Sequence, residues 1–264
     1  IQFDLISQRT GVFESVQQEM VISAFRKNRH RASVTINSLS FQQGRMKEER
    51  IGRVPSFATA AWILPRKKQD VRLVKLFREN RCVLSSYGYY VHTGYVVPHR
   101  QQHLLSDVGG EKHYPLIWSA AIKDGAFDPD RAYKSGKARW FLHRDNCPGL
   151  ITSSCILVKR TSSKEQAERI KLTMVPNSFV QRHGGFYVEN HVNVILPKPG
   201  ALIDIEGIIK LLGSNVIDRL FRCLSGTVTI SASELEKLVL PDSEGMQMFL
   251  KNSKLSDSKD DLEK

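Results

Sequence analysis

Two places in the chain set cations and hydroxyls where they could hold a polyanion. Lys159 and Arg160 directly follow the apolar run Cys155–Val158 and precede Ser162, at the start of the segment TSSKEQAERIKLT. Cations at a strand end beside a helix N-terminus present charge and free amides to phosphate, and an arginine there can also read guanine. The second place ends the apolar stretch 204–223, where Arg219 and Arg222 stand three apart and share one helical face. The chain then enters Ser225-Gly226-Thr227. Gly226 permits a tight backbone path, and the hydroxyls of Ser225 and Thr227 can bond phosphate or base edges. Asp218 lies four residues before Arg222, the spacing of an ion pair internal to the helix, so contact with a polyanion and a structural pairing are both open to Arg222.

Other constellations carry less. His99 and His103 stand four apart with no glutamate between them in the zinc-protease manner. Glu234-Leu-Glu236-Lys237 has the residue types of a nuclease site but falls on an amphipathic helix opened by a Ser231–Glu234 capping box, where such charges face water. Gly109–Gly110 and Gly184–Gly185 lie in polar loops, and no glycine-rich phosphate turn of the GxGxxG type occurs.

The elements that must position these residues are mixed. Apolar spacing predicts helices over 11–27, 68–79, 161–173, 204–223, 232–240 and 243–251. On 68–79, Val71, Leu73, Val74, Leu76 and Phe77 form the apolar side and Arg72, Lys75 and Arg78 the basic one. Strands are expected over 32–41, 58–64, 87–98 with a close turn at Gly94, 114–122, 150–158, 185–195 and 225–231. The 185–195 strand alternates most clearly: Phe186, Val188, Val192 and Val194 on one face, Tyr187, Glu189, His191 and Asn193 on the other. Asn190 points with the valines, as a buried structural hydrogen-bonder. Residues 42–50 and 123–149 read as loops. Helices and strands without steady alternation make an α+β class, with a C-terminal helical part. One domain spans 1–251, with two subdomains able to meet near 123–149, and 252–264 reads as a polar, disordered tail.

The charge agrees with an anionic partner. The balance is +12, and residues 252–264, with four acids and three bases, contribute −1, leaving +13 for the rest. Such an excess favours a phosphate backbone through counterion release. Four cysteines without a CxxC pair, no signal peptide and no apolar run of bilayer length point to reduced thiols in a cytoplasmic protein. The start at Ile1 reads as a fragment of a longer sequence.

Six segments in order resemble the C-terminal half of gamma-class N6-adenine DNA methyltransferases of type II restriction–modification systems. They are DLISQRTGVFESVQQEM, SSYGYYVHTGYVVPHR, YPLIW, CILVKRTSSKEQAERI, FYVENHVNVI and LLGSNVIDRLFRCLSGTVTISASELEKLVLP. The resemblance implies a target-recognition domain for double-stranded DNA, working beside an N-terminal catalytic domain of the same parent chain. That domain would bind S-adenosylmethionine and the flipped adenine. The Pro-Pro-aromatic clamp of the catalytic half is absent here, so no cofactor and no catalytic residue is expected in this chain. Within the matched segments the DNA-facing candidates are Thr93, Arg100, Lys159, Arg160, Ser162, His191, Arg222, Ser225, Gly226 and Thr227. The alternatives are the specificity portion of a combined restriction–modification enzyme with a nuclease domain, and a general basic module for RNA or protein partners.

Overall fold

The computed structural model describes residues 2–6, 20–25, 33–42, 45–55, 62–78, 82–145, 147–162 and 166–260. Strands and helices occur in comparable measure, an α+β fold. The first sheet holds β1 (Gln2–Ile6), β2 (Met20–Ala24), β3 (Ser33–Gln42) and β4 (Arg45–Pro55) in the order β2-β1-β3-β4. Only the β1–β3 pair is parallel. Phe3, Leu5, Val34, Ile36 and Val54 line its inner face, and α1 (Asp70–Arg78) packs there through Val74 and Phe77. Leu76, expected on the apolar side of α1, is exposed, as are Arg72 and Lys75.

Two expectations fail in this sheet. Met20–Ala24 is a strand, not the end of a helix, because β1 offers it an edge that pairs residue by residue from Gln2↔Ala24 to Ile6↔Met20. Val21 and Ile22 suit that pleat; residues 11–19 and the basic run 26–32 lie outside the described residues. Residues 45–50 belong to β4 rather than a polar loop, since β3 supplies their backbone partners. They are exposed, so nothing selects for apolar alternation, and charge on an edge strand discourages further pairing. Of the strand expected over 58–64, Trp62–Leu64 are irregular and the remainder lies outside the described residues.

The rest of the described chain builds two four-stranded sheets and one two-stranded sheet. In chain order the elements are β5 (Tyr89–Thr93), β6 (Leu105–Ser106), β7 (His113–Ile117), β8 (Ile122–Lys123), β9 (Ala126–Phe127), α2 (Asp130–Lys134) and β10 (Trp140–Leu142). There follow β11 (Cys155–Lys159), β12 (Leu172–Val175), α3 (Asn177–His183), β13 (Tyr187–Val188) and β14 (Val192–Pro197). Four helices close the chain: α4 (Ile205–Leu212), α5 (Asn215–Leu224), α6 (Ala232–Lys237) and α7 (Ser243–Asp260). The antiparallel sheet β12-β11-β14-β5 is covered on both sides. Ile156, Val158 and Ile195 face the core shared with the first sheet and α4–α6, while Leu157, Val192 and Val194 face a second cluster with Ile117, Phe186 and Val188. Burial on both faces explains why Cys155–Val158 is apolar without alternation. A smaller sheet, β13-β7-β10-β6, carries the third cluster around Leu116, Phe141 and Tyr187.

The stretch 123–149 is therefore not a plain loop, because β10 and α2 fall within it. The strand expected over 185–195 is two strands in different sheets. β13 pairs with β7, the backbone turns through Asn190 and His191, and β14 then pairs with β11 and β5. Phe186, Val188, Val192 and Val194 are all fully buried, as their alternation requires. Tyr187, Glu189 and Asn193, assigned to a polar face, are buried as well. The helix expected over 204–223 is likewise two. Asp204 caps α4 through Gly207, and Ser214 caps α5 through Ile217, so each has its own start. Val216 is consequently exposed rather than part of the apolar stripe. Residues 225–231 make one isolated bridge, Thr161↔Thr229, instead of a strand. The Ser231–Glu234 capping box is formed. Among the described residues all four cysteines are free, and no helix is long and apolar enough to cross a membrane.

Candidate nucleic-acid interface

Beyond Lys159 the chain leaves the core and threads between two other segments. On one side the Arg160 amide donates to His191 O (2.9 Å). On the other, Ile230 N donates to Arg160 O (2.6 Å) and Ser162 N to Val228 O (3.0 Å). Fully buried Asn193 ties the layers together: it accepts from Thr93 Oγ1 (3.2 Å) and donates to Ile230 O (2.8 Å). Segments 159–162, 189–193 and 225–230 thus run side by side. They gather Thr93, Lys159, Arg160, Ser162, His191, Ser225, Gly226 and Thr227 into one neighbourhood that the sequence spreads over more than a hundred positions. Arg100 is exposed on a separate turn of 3-10 helix, Pro98–Arg100.

The helix expected from Ser162 does not form: residues 166–170 are irregular, and Ser163, Lys164 and Glu165 lie outside the described residues. The reason is a network of buried side chains. Asp218 Oδ1 accepts the amides of Arg169 (2.6 Å) and Ile170 (3.0 Å). Gln166 O, which a helix would pair with the Ile170 amide, accepts from Arg222 Nη2 (2.8 Å) instead, as does Ala167 O (3.0 Å). The buried Arg169 guanidinium donates to the carbonyls of Ser162, Thr227 and Val228. Backbone groups that would close helical turns are thus satisfied across the fold. Ser162 is itself buried, with its hydroxyl on Gln166 Oε1 (3.2 Å), so no helix N-terminus stands there for phosphate.

The remaining candidates divide by exposure. Arg222 makes the structural pairing, from Nε to Asp218 Oδ2 at 2.7 Å. Ser225 is buried, its hydroxyl 3.3 Å from that of Thr227; exposed Thr227 donates to Thr229 O (2.7 Å). His191 is exposed, with Nδ1 2.7 Å from Oε2 of buried Glu189, whose Oε1 accepts the Ser119 amide at 2.9 Å. Arg160 Nη1 donates to Asn190 O (2.6 Å). Asn190 departs from its expected role: it is half-buried, and its Oδ1 has no hydrogen-bond partner among the described residues.

No family model and no curated protein matches this chain.

Charge singles out Lys159. Burial, then the neighbouring Lys171 and Arg131, hold its ammonium below the usual lysine value, with Asp124 acting in the opposite sense. Lys171 and Asp124 also line an adjoining cleft of about 460 Å³ beside Gly125, Glu168 and Ile209. Of these three cations only Lys171 lines that cleft, together with the carboxylates of Asp124 and Glu168. Lys171 and Arg131 escaped the sequence reading because one sat in the expected helix and the other in the expected loop. Arg169 escaped it too, since nothing local marks an arginine for full burial. Among the described residues no three His, Cys, Asp or Glu side chains gather as a metal site. His99 and His103 lie on short exposed turns.

Proposed function

We propose that the chain is the double-stranded-DNA recognition part of an S-adenosylmethionine-dependent N6-adenine DNA methyltransferase. Cofactor and adenine clamp would belong to a catalytic domain elsewhere in the parent chain. The observation that carries DNA binding is the crowding of Lys171 and Arg131 around Lys159, whose ammonium is held below its usual value. Like charges kept together oppose one another until an anion enters, and a phosphate backbone supplies one at regular spacing. The net charge of +12 and the six ordered segments support the same reading.

The test is fluorescence anisotropy of the purified chain with duplexes selected from a random library, against random duplex and RNA competitors. Binding should prefer the selected duplex. It should fall by about a thousandfold or more between roughly 50 and 200 mM salt if about six phosphates are contacted. Lys159→Gln should weaken every duplex evenly and reduce the salt slope by about one. Equal affinity for selected duplex, random duplex and RNA would return the chain to a general basic module. Salt-independent binding would remove the phosphate argument.

A further inference from the structure

A second cleft, of about 330 Å³, opens between α2, β7, β10 and α3. Its walls are Tyr133, Trp140, Phe179 and His183, and its rim carries Arg139 and Arg182. The His183 ring lies 4.7 Å from Phe179 and 6.1 Å from Trp140, centroid to centroid. The Arg139 guanidinium sits 4.9 Å over the Tyr133 ring and pairs with Asp130 at 2.6 Å. Exposed Arg182 has no ion-pair partner among the described residues.

Two features separate this cleft from a piece of core. All four rings are only partly buried at this opening, although the fold fully buries comparable rings at Phe141, Phe186 and Tyr187. The rim is cationic, with Arg182 uncompensated and Arg139 shared with one carboxylate. A ligand that satisfies both features is planar and apolar at one end and anionic at the other. Burial, then Arg182 and Arg139, lower the His183 pKa, so that ring is an uncharged surface at neutral pH and not a third cation. The volume lies at the small end of ligand pockets, roughly 300–1,000 Å³, which suits one planar group and excludes a base pair.

We propose that this cleft holds one unpaired nucleotide, with its base against Trp140 and Phe179 and its phosphate on Arg182. The proposal rests on the reading of the chain as a DNA-binding module and adds a site that perfect duplex does not fill. Base–aromatic contact is tolerant of sequence because every base presents a π-face. The unpaired nucleotide can come from a single strand or from a distortion within a duplex.

The experiment compares three labelled DNAs on the intact chain: a perfect duplex, the same duplex with one bulged thymidine, and a short single strand. The bulged duplex should bind about tenfold more tightly than the perfect one, in line with one base–aromatic contact. Ligands that fill the cleft should quench tryptophan fluorescence. Trp140→Phe should keep affinity and lose most of the quenching. Arg182→Glu should weaken the bulged duplex and the single strand at unchanged melting temperature. Preference for the bulge alone assigns the site to distorted duplex, and binding of the free strand assigns it to single strands. Equal affinity for bulged and perfect duplex, with the free strand unbound, overturns the cleft while leaving duplex recognition intact. Binding of bulge and free strand without perfect duplex supports the cleft and overturns duplex recognition. Quenching that survives Trp140→Phe places the ligand elsewhere and overturns the assignment, and a chain that binds no DNA loses both readings.

Discussion

Arg222 donates from Nε to Oδ2 of Asp218 at 2.7 Å, one helical turn earlier, while the other oxygen of the same carboxylate takes the amides of Arg169 and Ile170. The pair is mostly shielded, with side-chain exposures of 25% and 10%. Removing one member of such a pair leaves the other charge short of partners. Asp218→Ala should therefore cost about 3–5 kcal/mol in urea unfolding. Arg222→Ala should loosen 166–170, and any loss of DNA affinity should fall evenly on all duplexes. A fully stable Asp218→Ala, or an Arg222→Ala defect confined to one base position, would contradict the structural assignment.

A Cβ at Gly94 would stand 2.1 Å from Glu189 O and 2.7 Å from Val188 O. Both obstacles are backbone, so no side chain can swing aside. Gly94→Ala should force β5 away from the turn at 189–191 and strain the Gly94 N–Val192 O bond of 2.8 Å. The expected loss is at or above the upper end of about 1–3 kcal/mol for overpacking, measured as a drop in melting temperature. Gly136 has nothing within 4 Å of its Cβ position and φ of +81°. Gly136→Ala should lose only the left-handed penalty, about 1–2 kcal/mol. Equal effects at the two positions would reject the close-contact explanation.

His191 looks dispensable by exposure, with its side chain 61% accessible, but the Glu189 carboxylate it covers is only 4% accessible. His191→Ala should leave one oxygen of that carboxylate unpaired and cost about 1–3 kcal/mol. His191→Gln, which can still donate, should recover part of the loss. If His191→Ala unfolds at the wild-type urea midpoint, the bond contributes nothing.

The pH dependence has a definite sign at His183. Burial, then Arg182 and Arg139, hold its folded-state pKa below the ordinary 6.5. The unfolded chain therefore takes up the proton first as pH falls. This contribution to stability is full above about pH 6.5 and is lost as pH drops through the folded value. Urea midpoints measured between about pH 7.5 and 5 should fall less steeply for His183→Gln than for wild type. Identical slopes would show that the imidazole is not held in its neutral form.

Local spacing in the chain was enough for every element whose pattern and partners are near in sequence. The α1 helix, the β5 strand with its break at Gly94 and the Ser231–Glu234 cap were readable because periodicity and capping act within a few residues. The burial of Phe186, Val188, Val192 and Val194 was readable from alternation alone, even though the strand carrying them is broken. Residues 20–24 and 45–50 were not, since each becomes a strand only by pairing with β1 or β3. The candidate interface divides the same way. Lys159 and Arg160 were marked by their place after an apolar run, whereas Lys171 and Arg131 reach Lys159 only through the fold. Residues 166–170 have helical composition, yet Asp218 and Arg222 capture their amides and carbonyls from some fifty positions away. Composition and short-range spacing determined the α+β class, the core positions on the periodic segments and the first cations of the candidate site. Tertiary structure alone decided which backbone groups pair across the fold and which charges meet, because those partners are selected by proximity in space and leave no periodic trace in the chain.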